Sequence, residues 1–139
     1  MKPQLGDTIL NRYTLVSSLR EEPGIQAWKA NDRVLAKDCQ LFIITNRSAF
    51  AAIDELAGRM AATRPDRVIP VLKYRMESDV LLIVMPVDSG QCLTDYMVDT
   101  AKPLSYSAIR SIIGECANVL REVIADTPSG IVITTDTVR

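Results

Sequence analysis

The chain has 139 residues, 47% hydrophobic and 24% charged, which suits one globular domain able to bury a core without staples. Its 16 basic and 17 acidic side chains leave a formal charge of -1, so there is no basic excess of the kind nucleic-acid binding needs. Histidine is absent, which removes the commonest general base and metal ligand together.

The segment Met1 to Asp7 has no apolar core and does not read as a signal peptide. Tyr13 to Leu19 follows a polar turn at Leu10-Asn11-Arg12 and is rich in strand formers, and Arg20-Glu21-Glu22-Pro23-Gly24 breaks it. Ile25 to Ala30 alternates at period two and forms the hairpin partner; Cys39 to Ile44 is a third, largely buried strand. Asn46-Arg47-Ser48 caps a helix carrying Phe50, Ile53, Leu56, Ala57 and Met60 at three- and four-residue spacing. Val68 to Tyr74 and Val80 to Pro86 make a second hairpin. The apolar run Val80 to Val87 has strand length, well short of the ~18 residues of a membrane span. The chain therefore reads as cytoplasmic, either free-standing or as the cytoplasmic part of a longer membrane protein.

A short helix over Leu93 to Met97 follows the Asp88-Ser89-Gly90 turn. Ser105 or Ser107 caps a long helix whose apolar face is Ile109, Ile112, Ile113, Cys116, Val119, Leu120 and Val123. Ile131 to Thr134 and Val138 onward read as a last hairpin. Cys39, Cys92 and Cys116 sit in apolar contexts, as buried free thiols of a reducing compartment do. The order of elements predicts an α+β fold, an antiparallel sheet with one helix on it followed by a mostly helical segment.

Several segments resemble bacterial serine/threonine protein kinases. Gly6 to Leu15 resembles the family's opening "G..L..RY.L", and Trp28-Lys29-Ala30-Asn31-Asp32 its second strand with "RA.D". Cys39-Gln40-Leu41-Phe42 falls on Val-Ala-Ile-Lys, and Val84 to Leu93 on the hinge, with Met85 in it, and the following "EGGSL". The resemblance implies a kinase N-lobe of five antiparallel strands plus one helix over residues 1–87. Residues 88–139 would begin a truncated, mostly helical C-lobe, the whole forming one domain.

The departures from the family remove its chemistry. The strand-three lysine, which holds the α- and β-phosphates, is replaced by Phe42; Gln40 replaces the alanine that leaves room for adenine. Of the glycine-rich loop only Gly24 remains, next to Glu21 and Glu22, whose charge repels a triphosphate. Glu55 falls on the helix-glutamate position, but its lysine partner is missing and a solvated helix residue is the leading reading. Ala125 to Thr134 resembles only the tail of the catalytic loop: Gly130 stands at the metal-binding asparagine, and Asp126 reads as a turn residue. No catalytic residue, cofactor or metal ligand is expected.

These losses, with Trp28 to Leu35, Ile109 to Ile113 and Asp126-Thr127-Pro128-Ser129-Gly130-Ile131-Val132, resemble the actinobacterial pseudokinase domains associated with the MviN-type lipid II flippase. That resemblance implies a regulatory role in peptidoglycan synthesis. An upstream serine/threonine kinase would phosphorylate a threonine, and a forkhead-associated (FHA) domain protein would capture it. The site itself transfers to no residue here. Two other readings compete: a residual nucleotide binder or atypical kinase, and an unrelated α+β binding module with a different strand order. Arg64, Arg67, Lys73 and Arg75 read as a solvated sheet edge, or else as an acidic-partner patch. Trp28 reads as core, or else as a docking surface. The uncovered face of the long helix would suit a homodimer.

Overall fold

A computed structural model describes residues 2–63, 68–77, 79–87 and 90–124. They fall into two compact units, one built from six strands and a helix, the other holding two helices. In the first unit the strands are β1 (Thr8–Ile9), β2 (Tyr13–Glu22), β3 (Ile25–Asp32), β4 (Lys37–Ile44), β5 (Lys73–Met76) and β6 (Leu81–Pro86). Every pairing is antiparallel, in the order β1-β2-β3-β4-β6-β5. Helix α1 (Phe50–Thr63) connects β4 to β5 after a single 3₁₀ turn at Arg47–Ala49.

The sheet has six strands, not the five expected. The extra one is β1, whose two residues pair with Tyr13 and Thr14. Two residues are too few for an alternation signal. The reversal that makes their pairing feasible uses Leu10 and Asn11 at φ 52° and 55°, a conformation that a leucine does not advertise. The second difference lies in β2, which runs through the charged stretch to Glu22. Register shifts at Leu15/Ser17 and Ser18/Arg20 bend it, and Pro23-Gly24 alone makes the turn. In the second hairpin the first strand is short: Lys73–Met76, with Leu72 N–H donating to the Val84 carbonyl at 2.8 Å just before it.

Alternation along the strands gives two apolar cores, one per sheet face. One gathers Tyr13, Leu15, Trp28, Ala30, Cys39, Leu41, Ile43, Leu82 and Val84. Trp28 is thus core, its Nε1–H donating to Gln26 Oε1 at 3.3 Å. The other face lies under α1, where Ile44, Leu81, Ile83 and Val71 meet Ala57, with Phe50, Ile53 and Met60 packed around them. The helix start is the one expected: Asn46 Oδ1 accepts from the Ser48 N–H and hydroxyl.

The second unit contains α2 (Leu93–Thr100) and α3 (Tyr106–Ile124). Ala101, at φ 49°, terminates α2. Ser105, rather than Ser107, caps α3: its hydroxyl oxygen accepts from Ala108 N–H at 3.1 Å. Ile112, Cys116, Val119 and Leu120 are half-buried, while Tyr106, Ile109 and Ile113 face solvent. Among the described residues no helix is long and apolar enough to cross a membrane. The expected hairpin after residue 130 lies outside the described residues.

Candidate functional site

The positions that the kinase resemblance singles out map mostly onto the α1 side of the sheet. In β4, alternation turns Gln40, Phe42 and Ile44 to this side. Register places Phe42 between Ala27 on β3 and Ile83 on β6, and Gln40 between Lys29 and Met85. Phe42 and Met85 are half-buried and pack against the cluster of Ile44, Leu81, Ile83 and Ala57. At the position that the resemblance sets against the kinase lysine, this sheet has an aromatic ring in an apolar layer. Lys29, one pair along on the same face, forms an ion pair with Asp38 at 3.2 Å.

Glu55 is not brought to Phe42's side chain. It lies on the outer face of α1, two residues before the inward-facing Ala57, and its Oε1 accepts from Arg59 Nη2 at 2.7 Å. That geometry is an ordinary i,i+4 surface pair. The two positions whose charges would meet in a phosphate-holding site therefore belong to different environments, one apolar and one solvated.

Gly24 serves the β2–β3 turn. Its φ is +78°, and a Cβ there would stand 2.9 Å from Asn46 Cβ. Its carbonyl accepts from Thr45 N–H at 2.8 Å, which ties the turn to the end of β4. Both needs are structural and require glycine without any phosphate. Beside it lies a cleft of about 480 Å³ that includes Lys2, Glu21, Glu22, Gln26 and Thr45 in its lining. Glu21 pairs with Lys2, and Glu22 with Arg20. Both carboxylates of the cleft are thus paired with cations, one of them in the lining itself.

The residues of the first two resembling segments form a lock that the sequence did not announce. Arg12 Nε and Nη2 donate to the two carboxylate oxygens of Asp32 at 2.8 and 2.7 Å. Asp32 is only 4% exposed, and its Oδ1 also accepts from Val34 and Leu35 N–H at 3.0 and 3.3 Å. The Arg12 guanidinium, aided by those backbone donors, holds the Asp32 carboxyl down at about 2 against burial, which pushes it up. Arg12 also lies 5.1 Å from the centre of the Tyr13 ring. The available signal was the pairing of "RY" with a later "A.D" at the ends of adjacent strands.

Burial raises the Cys39 thiol to about 11, so it is no thiolate nucleophile near neutral pH. Among the described residues no group of three His, Cys, Asp or Glu side chains could hold a metal ion. Gly130 and Asp126 lie outside the described residues.

No family profile matches the chain, and no curated protein does. Solved structures do. A double mutant of the Mycobacterium tuberculosis PknI kinase domain superposes with a TM-score of 0.74 at 19% identity, covering 98% of this chain and 56% of that one. Rad53 in complex with AMP-PNP superposes with a TM-score of 0.76 at 17% identity, covering 90% of this chain and 33% of that one. The fold is protein kinase-like, and the chain spans only part of the length of these kinases.

Proposed function

We propose that this chain is a catalytically inert kinase-like module that regulates by binding other proteins. The observation that carries the reading is the environment of Phe42, an aromatic ring packed under α1 with Ile44 and Ile83. Phosphoryl transfer depends almost wholly on positioning and charge neutralisation, and an apolar layer at this position supplies neither. The outward Glu55–Arg59 pair and the structural duty of Gly24 support the same reading.

The resemblance to the flippase-associated pseudokinase domains supports a particular role. An upstream serine/threonine kinase phosphorylates a threonine, an FHA-domain protein captures it, and the complex restrains export of peptidoglycan precursor. The module works in the cytoplasm.

Two measurements test this. A thermal-shift titration with millimolar ATP and magnesium is expected to leave the melting temperature within about 1 °C of the ligand-free value. A ligand at a hundred times its Kd would contribute about 2.7 kcal/mol, a shift of many degrees for a domain this size. Such a shift would sink the inert reading and favour a residual nucleotide binder. Separately, FHA-domain capture should require prior phosphorylation; equal capture of the unphosphorylated chain refutes the partner assignment.

A further inference from the structure

We infer that the turn between β3 and β4 is a docking tip for an anionic phospholipid surface. Its apex is Val34-Leu35, and these two aliphatic side chains are 70% and 59% exposed. A turn ordinarily takes Gly, Asn, Asp or Ser, each for a backbone reason that valine and leucine do not serve.

The apex is held rigidly without any packing of its own side chains. Asp32 Oδ1 accepts from both apex N–H groups, and Arg33 N–H donates to the Arg12 carbonyl at 3.0 Å. Ala36 completes the reversal at φ 51°. The ordering cost of presenting two apolar groups to a ligand is therefore met within the fold.

Charge selects the kind of surface. Arg33 and Lys37 flank the apex, are exposed, and have no ion pair among the described residues. The nearby charges cancel in pairs, Arg12 with Asp32 and Lys29 with Asp38. Two uncompensated cations thus bracket two aliphatic side chains. That is the pattern of an interfacial anchor, in which apolar groups enter the acyl boundary and cations stay among anionic headgroups. A protein groove with an acidic rim would answer the same chemistry. Lipid is favoured because a convex two-residue apex offers far less than the about 1,000 Å² that a specific protein interface needs. Partition into a membrane, by contrast, gains with each methylene buried. This inference rests on the turn alone and stands whether or not the chain is catalytically inert.

The test is co-sedimentation of the full chain with phosphatidylcholine vesicles, with and without phosphatidylglycerol. The expected result is partition at least about 10-fold higher on the anionic vesicles, weakening as salt rises. Val34→Ser with Leu35→Ser, and separately Arg33→Gln with Lys37→Gln, should each lower it about 10-fold. Because these side chains are exposed, thermal melting should stay within about 1 °C of wild type in both double variants. A Leu35→Trp variant should shift its emission to the blue when anionic vesicles are added. No sedimentation, equal partition on neutral vesicles, or partition unchanged in the serine variant each overturns the inference. So does binding of a protein through these residues in the absence of vesicles.

Discussion

Replacing Asp32 by asparagine should remove a pH-dependent part of the stability that wild type retains above about pH 4. The carboxyl moves from 3.8 to about 2 on folding because two guanidinium N–H groups and two backbone N–H groups point at it. For a carboxyl lowered in this way, the stabilisation is fully present above its unfolded value and disappears as pH falls through the folded one. The window is therefore between about pH 4 and pH 2. Nearly two decades of proton affinity correspond to about 2.4 kcal/mol, and solvent screening on the Arg12 side reduces this to about 1–2 kcal/mol. Urea unfolding followed by fluorescence of Trp28, the single tryptophan, reports directly on the adjoining core. At pH 7 Asp32→Asn should cost about 1–2 kcal/mol, and the gap from wild type should close as pH approaches 2. All other carboxylates titrate in both proteins, so the difference between the curves isolates Asp32. Parallel curves from pH 5 to pH 2 would refute the lock.

Phe42→Lys, which restores the kinase residue type, should destabilise by about 2 kcal/mol or more by placing an ammonium in the layer under α1, and should bring no stabilisation by ATP and magnesium. Urea titration with and without nucleotide checks both halves. Gly24→Ala should cost about 2–3 kcal/mol, since it combines a positive φ with a 2.9 Å approach to Asn46 Cβ. Gly6→Ala, also at positive φ but with nothing within 4 Å, should cost only about 1 kcal/mol; equal losses in the two variants would remove the steric part of the argument. Ser105→Ala should lower helix stability by about 1 kcal/mol and Ser107→Ala by almost nothing, measurable by thermal melting followed by circular dichroism.

The fold was legible in the sequence wherever side-chain periodicity is set by burial on one face. The strands from Ile25 and Cys39, the α1 stripe of Phe50, Ile53, Ala57 and Met60, and the Asn46 cap all follow from that alternation or spacing. What stayed hidden depends on backbone choices that residue type does not announce. The turn at Leu10-Asn11-Arg12 was readable, but not the left-handed conformations by which it pairs Thr8 and Ile9 as β1, nor the bulges in β2 that let a run of charges continue as strand. Val68 reads as a strand start, but the ladder begins only at Lys73. At the site, the identity of Phe42 could be read directly. Glu55 reads in the sequence as a solvated helix residue, in agreement with its outward direction, which helical phase also gives: it stands two residues from Ala57, about 200° round the helix.

The positions that carry the kinase resemblance divide by what they do. Arg12, Tyr13, Gly24 and Asp32 lie in segments that resemble kinases, and each has a mechanical duty here: an ion-pair lock, a buried ring beneath it and a turn that excludes a Cβ. The positions that the resemblance sets against the kinase lysine and the alanine beside adenine carry a phenyl ring at 42 and a glutamine at 40. An unfilled layer would leave buried polar atoms without partners or a hole, and both are costly. Phe42 does the opposite: it packs against Ile44, Leu81, Ile83 and Ala57 and adds to the core under α1. A layer filled in this way stabilises the scaffold under α1.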